Sequence, residues 1–211
     1  MTTVEPTPLF LSRLLLNPRS HQVQSELRDP YQMHRTLSRA FGDGDGGFAA
    51  ARCLFRIDEI PDSPNWQVLV QSRVKPNWQP LEQVTHYFTA PPQTKEFQIR
   101  LDSGQRLAFR LHANPTVKRS GKRLGLYKEE EQLEWLTRKA QANGFELLNA
   151  TARPAKLFKS HTSSGSETRH LGVIFNGILK VTDAAALALA VESGIGSAKG
   201  FGFGLISLAR I

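Results

Sequence analysis

The pattern of apolar and polar positions in the first half of the chain predicts short strands separated by one clear helix and one short segment. Apolar runs of strand length are bounded by proline, asparagine or glycine, and one stretch between them has helical spacing. The predicted order is strand, helix, strand, strand, short segment and strand, at residues 9–16, 30–41, 50–60, 66–74, 76–83 and 86–89. This order is β-α-β-β-α-β.

The same order of elements begins again after Pro91 and Pro92. The second half is predicted to contain strand, helix, strand, strand, helix and strand, at residues 105–112, 129–143, 145–158, 170–181, 184–192 and 204–211. A β-α-β-β-α-β unit is the ferredoxin-like motif. We therefore predict an α+β protein of tandem ferredoxin-like (RRM-like) domains, with an N-terminal domain at residues 1–94 and a C-terminal domain at residues 95–211.

The helix predicted at residues 30–41 has clear start and stop signals. Asp29 is a residue type that caps helix N-termini, Pro30 suits the first helical position, and Gln32 can close a variant capping box. The glycine cluster at residues 42–47 stops the helix. Spacings of three and four residues bring a set of polar side chains close to one another on this helix, namely Tyr31, His34, Arg35, Ser38 and Arg39.

This polar face carries the groups that RNA cleavage by transesterification needs. A base removes the proton of a ribose 2′-hydroxyl, the oxygen attacks the adjacent phosphorus, and an acid protonates the departing 5′-oxygen. Histidine serves in either role near neutral pH, which makes His34 a candidate, and Arg39 can offset charge on the phosphorane oxygens. Arg35 and Ser38 of the same face are predicted to contact the RNA. Taken alone, however, such a run is more often ordinary helix surface, so the helix does not decide the function.

The charge of the chain favours a polyanionic partner. Its 211 residues include 27 Lys and Arg against 19 Asp and Glu, a formal charge of +8. Basic residues predicted to contact RNA phosphates lie in a loop, on the arms of a predicted hairpin and in a glycine-rich stretch; they are Lys118, Arg119, Lys122 and Arg123, then Lys156, Lys159 and Arg169, then Lys199. A solvated charged loop is an equally common explanation for either cluster alone.

Other classes of protein and site are disfavoured by the sequence. No apolar run approaches 18 residues, so we expect neither a membrane span nor export. Cys53 is the single cysteine and lies in an apolar stretch, which predicts a buried thiol in a reducing cytoplasm. Asp43 and Asp45 resemble the start of a calcium loop, but the later ligands are missing. We therefore predict no metal site and no cofactor.

Five segments carry a resemblance to a known family. In chain order they read LSRLLLNP, DPYQMHRTLSRAF, RLAFRLHANPTVKRSGKRLGL, EEEQLEWLTRKAQANGF and GIGSAKGFGFGLISLARI. Their order and spacing resemble those of the CasE (Cse-type) CRISPR RNA-processing endoribonucleases of type I-E Cascade systems, in the RAMP superfamily. The resemblance covers essentially the whole chain.

The resemblance implies a metal-independent endoribonuclease that cuts on the 3′ side of a CRISPR repeat hairpin and leaves a 2′,3′-cyclic phosphate or 3′-phosphate. The implied partners are precursor RNA, mature guide RNA and other Cascade subunits. By position His34 matches the family's catalytic histidine and Tyr31 its tyrosine, whereas Arg39 stands where a relative has lysine. The assignment of base and acid between His34 and Tyr31 stays open. The alternatives are a non-catalytic RNA-binding RAMP subunit and a basic ribosome- or tRNA-associated protein.

Overall fold

Two units, Met1–Arg100 and Leu101–Ile211, make up the chain in the computed structural model. The structure describes residues 8–42, 45–161 and 167–211, with the side chains of 45–46 and 155–169 outside that description. The predicted boundary between residues 94 and 95 falls inside a strand, Phe88–Phe97, and the units divide after Arg100 instead. Prolines 91 and 92 do not end this strand because it lies at the edge of its sheet, where a missing N–H is tolerated.

Unit 1 (Met1–Arg100) contains a four-stranded antiparallel sheet in the order β2-β3-β1-β4. The strands are β1 (Leu9–Leu16), β2 (Leu54–Glu59), β3 (Trp66–Ser72) and β4 (Phe88–Phe97). Between β1 and β2 lie α1 (His21–Arg28), α2 (Pro30–Ser38), a 3₁₀ turn (Arg39–Phe41) and α3 (Asp45–Ala50), and a short α4 (Gln79–Glu82) precedes β4. This is the predicted βαββαβ order with an elaborated first crossover.

Unit 2 (Leu101–Ile211) repeats this topology with the strand order β10-β5-β9-β8. Its elements are β5 (Arg106–Ala113), β6 (Thr116–Arg119), β7 (Lys122–Gly125), α5 (Glu129–Ala142), β8 (Phe145–His161), β9 (Glu167–Val181), α6 (Ala184–Ser193), a 3₁₀ turn (Lys199–Phe201) and β10 (Ile206–Arg210). Counting the sheet strands of each unit from its start, both sheets have the order 4-1-3-2. The prediction of tandem ferredoxin-like folds is therefore confirmed.

Unit 1 contains two helices that the sequence patterns did not predict, and two local predictions in it are wrong: the start of one strand and half of the capping box. Helix α1 was not predicted, and neither was α3, which ends at Ala50, the first residue of the strand predicted at residues 50–60; the strand itself begins at Leu54. Asp29 does cap α2, since its Oδ1 accepts a hydrogen bond from the Tyr31 N–H at 3.0 Å. The other half of the predicted capping box is not made, because the Asp29 N–H donates to the Ser25 carbonyl of α1 at 3.0 Å while the Gln32 side chain faces Arg35.

A buried carboxylate ties three parts of unit 1 together. Glu26 of α1 is only 2% exposed. Its Oε1 accepts hydrogen bonds from Thr36 Oγ1 of α2 at 2.5 Å and from Gln22 Nε2 at 2.8 Å, and its Oε2 accepts one from Tyr87 Oη at 2.5 Å. These donors offset the cost of burying a charge. Burial and the neighbouring carboxylate raise the pKa of the Tyr87 phenol, so it remains a donor. The network holds α2 against α1 and the start of β4.

We predict that Tyr87→Phe destabilises the protein, because it removes one donor from a buried carboxylate. The expected loss is about 1–3 kcal/mol in the free energy of unfolding, measured by urea denaturation. Tyr127→Phe is the matched control, since that side chain is 70% exposed, and it should change stability by less than about 0.5 kcal/mol. Equal effects of the two substitutions would show that the Glu26 network contributes little.

Candidate active site

Helix α2 turns an apolar side into the core of unit 1 and a polar side outward. Met33 and Leu37, four residues apart, are fully buried in the core cluster. Tyr31 and His34 are partly exposed, and Arg35 is exposed. The polar face predicted from the sequence therefore exists, and it sits on a helix whose other side is fixed by packing.

Tyr31 and His34 lie side by side on this helix. Their ring centroids are 6.3 Å apart and the ring planes are nearly parallel, at 8°. The imidazole also packs edge-on against the buried Phe48 of α3, with centroids 4.4 Å apart and planes at 68°. Helix α3, which the sequence did not predict, therefore restricts the orientation of the histidine ring. A phenol and an imidazole held in this way can transfer protons to and from a bound RNA.

The remaining polar residues of α2 divide into two groups. Arg35 and Arg39 are exposed, and within the described residues neither forms an ion pair with a carboxylate: Arg35 Nη1 donates to Gln32 Oε1 at 3.4 Å and Arg39 Nη2 to the Pro80 carbonyl at 3.3 Å. Ser38 is buried, and its Oγ donates to the His34 carbonyl at 2.8 Å. Burial argues against the direct RNA contact predicted for Ser38. Its hydroxyl instead bonds to the helix backbone at His34.

The basic loop of unit 2 is a two-stranded ribbon formed by β6 and β7. Their register pairs Lys118 with Arg123 and Arg119 with Lys122, and all four side chains are exposed. Of these four cations, only Arg119 comes within ion-pair distance of a carboxylate among the described residues, at 4.0 Å from Glu131. Exposed pairs of this kind contribute little free energy. The ribbon therefore presents a concentrated positive charge that is available to a phosphate backbone.

The other basic residues predicted to bind RNA lie on the β8–β9 hairpin and in the glycine-rich stretch near the end of the chain. Lys159 and Arg169 are register partners on β8 and β9, and Lys156 lies on β8, but the side chains of all three fall outside the described residues. Lys199 Nζ donates to the Ser193 carbonyl at 2.6 Å, beside the C-terminal end of α6. Burial, and then the charge of Lys139, lower the pKa of Lys199. Because the ammonium group of Lys199 already donates to a backbone carbonyl, the structure does not support the predicted RNA contact of this residue.

No group of three His, Cys, Asp or Glu side chains in the described ranges lies close enough to hold a metal ion. Asp43 lies outside these ranges, as does the side chain of Asp45. No helix in the described part of the chain is both long and apolar enough to cross a membrane. Cys53 is buried, as its apolar surroundings predicted, and burial raises the pKa of its thiol.

The sequence predictions missed a polar groove between α1 and α2. Its lining residues are Gln22, Ser25, Glu26, Asp29, Gln32, Arg35, Thr36 and Arg39. A signal for α1 was present, because Ser20 is a good N-cap residue and Val23 and Leu27 have helical spacing. Ser20 does cap α1, with its Oγ accepting from the Val23 N–H at 3.5 Å. The pairing of α1 with α2 through Glu26 had no comparable signal.

Comparisons with known proteins agree with this architecture. A family model described as "CRISPR associated protein" matches residues 9–210. The CRISPR-associated endoribonuclease Cse3 of Thermus thermophilus is 33% identical over 215 residues, covering 95% of this chain and 100% of Cse3. The Cascade subunit CasE of Escherichia coli is 34% identical over 217 residues, covering 96% and 100%.

Among solved structures, the CRISPR endoribonuclease Cse3 bound to a 19-nucleotide RNA superposes with a TM-score of 0.82 and 32% identity. The match covers 96% of this chain and 100% of that one. Two relatives above 30% identity and a structural match each cover at least 95% of this chain, and the family model matches residues 9–210. The chain therefore belongs to this family of CRISPR-associated proteins, together with Cse3 and CasE.

Proposed function

We propose that this protein is an endoribonuclease that binds the repeat hairpin of CRISPR precursor RNA and cuts it without a metal. It then stays bound to the mature guide RNA as a subunit of Cascade, in the cytoplasm. The observation that carries the proposal is the adjacent Tyr31 and His34 on a fixed helix, in a family whose relatives include an enzyme named as an endoribonuclease and a Cascade subunit.

The chemistry follows from the residues on α2. One of His34 and Tyr31 removes the proton of the 2′-hydroxyl and the other protonates the 5′-oxygen as the P–O bond breaks. The ribose oxygen becomes bonded to phosphorus, which leaves a 2′,3′-cyclic phosphate that water can open to a 3′-phosphate. Arg39 supplies positive charge beside the phosphate. Because the nucleophile comes from the RNA itself, no step requires a metal-bound water.

The basic ribbon of β6 and β7 supports the binding part of the proposal. Its exposed cations can follow an RNA phosphate backbone, and each contact releases counterions on binding. Such contacts carry affinity but little sequence information. The ribbon is therefore assigned to hairpin binding and the polar face of α2 to cleavage.

We predict that His34→Ala strongly slows cleavage and preserves RNA binding. General acid–base catalysis by one side chain contributes about 10²–10⁴-fold, so the single-turnover rate on a repeat hairpin in EDTA should fall by that factor. His21→Ala is the matched control, since His21 is an exposed histidine at the start of α1, and its rate should equal wild type.

Three outcomes would contradict this assignment. If His34→Ala cuts as fast as wild type, the imidazole takes no part in the chemistry. If the unmodified protein binds the hairpin and never cuts it, the chain is a non-catalytic RNA-binding subunit. If cleavage requires a divalent cation, the mechanism proposed for α2 is wrong.

We predict that removing charge from the ribbon lowers both RNA affinity and its salt dependence. Replacement of Lys118, Arg119, Lys122 and Arg123 with glutamine should reduce the slope of log Kd against log salt by up to about 0.9 for each phosphate that the variant no longer neutralises. The measurement is filter binding at several salt concentrations. Arg138→Gln on α5 is the control, because this exposed cation lies 3.9 Å from Glu134, and it should leave the slope unchanged. An unchanged slope in the ribbon variant would show that the ribbon does not contact the RNA phosphates.

A further inference from the structure

The polar groove between α1 and α2 opens beside the candidate catalytic residues. It has a volume of about 610 Å³. Arg35, on its wall, directly follows His34 in the chain and lies one helical turn from Tyr31. Side chains three and four residues apart on a helix are about 5–6 Å apart. An RNA strand whose scissile phosphate lies at Tyr31 and His34 can therefore reach the groove with a neighbouring nucleotide.

The charge balance of the groove lining indicates that the groove suits a nucleobase rather than a phosphate. Arg35 and Arg39 contribute two positive charges, and Glu26 and Asp29 two negative ones, so the lining has no net formal charge. Glu26 is buried and already accepts hydrogen bonds from three side chains. A neutral site that offers donors and acceptors together suits the edge of a base better than an anion.

The accessible polar groups come mainly from α2. Gln32 is partly exposed, and its side chain carries both an amide donor and a carbonyl acceptor. Arg35 is exposed, and the hydrogen bond that it donates to Gln32 is long, at 3.4 Å. Guanidinium and amide groups are the side chains that most often read the acceptor and donor edges of bases. Ser25 of α1 adds a hydroxyl from the opposite wall.

We propose that this groove binds one unpaired nucleobase in the strand that flanks the repeat hairpin, next to the scissile phosphate. The proposal rests on the proposed function. Sequence-specific proteins read RNA chiefly through unpaired bases, whose hydrogen-bonding edges are free. The groove therefore supplies base recognition that the cationic ribbon of unit 2 cannot supply. It also fixes the position of the cleaved bond relative to α2.

The test uses the repeat hairpin with its natural flanking nucleotides and a set of RNAs in which each flanking nucleotide in turn is abasic. Binding and single-turnover cleavage are measured for each RNA. One abasic position adjacent to the cut should weaken binding by about 5- to 150-fold, which is the range expected when the hydrogen bonds to one specifically recognised base are lost. If no position has an effect, no flanking base is read and the proposal is overturned.

A pair of variants then assigns the effect to the groove. Gln32→Ala should weaken binding of the natural RNA and leave binding of the sensitive abasic RNA unchanged. Gln24→Ala is the matched control, because this exposed glutamine lies on α1 outside the groove and donates to the Pro18 carbonyl. It should not change binding of either RNA. Equal weakening of both RNAs by Gln32→Ala would overturn the groove assignment.

Failure of this proposal can be told apart from failure of the proposed function. If the groove reads no base, wild-type protein still cuts the hairpin at the same bond, and the abasic RNAs are cut at the natural rate. If the protein does not cut any RNA of the set, the proposed function fails, and the groove proposal fails with it.

Discussion

The position of helix α2 depends on the buried carboxylate of Glu26, which is only 2% exposed. Glu26 is satisfied by Gln22 of its own helix, by Thr36 of α2 and by Tyr87 just before β4. The donors of a buried charge must keep their positions, because the loss of any one hydrogen bond leaves the desolvation free energy of that charge uncompensated. The network therefore restricts α2 on the side away from His34, while packing of Phe48 restricts the imidazole on the other side.

This arrangement gives one short helix three environments. Its apolar side, with Met33 and Leu37, is part of the core. Its exposed edge carries Tyr31 and His34 as neighbouring rings, where an RNA strand can approach. Its third side, with Arg35, forms one wall of the polar groove against α1. Cleavage and base recognition are thus assigned to adjacent sides of the same rigid element, which is how a single bond can be selected in a long RNA.

Much of the fold was predictable because strand and helix periods are local properties of the sequence. The strand Leu9–Leu16, the Asp29 cap and the helix Glu129–Ala142 all have local signals, and the structure contains each of them. The candidate residues on α2 followed from spacing and from family resemblance. The groove did not, because it depends on long-range contacts between α1, α2 and Tyr87. The sequence predicted that Lys199 contacts RNA. The hydrogen bond that its Nζ donates to the Ser193 carbonyl could not be predicted, because it forms only in the folded chain.

In the proposed reaction, a ribose 2′-hydroxyl that is activated at α2 attacks the neighbouring phosphorus. The most direct test is single-turnover cleavage of a repeat hairpin that carries one 2′-deoxy nucleotide immediately 5′ of the scissile phosphate, compared with the all-ribose hairpin. We expect the substituted RNA to bind as tightly as the natural one and not to be cut. Cleavage of the 2′-deoxy RNA at the natural bond, at a rate close to that of the all-ribose RNA, would contradict it.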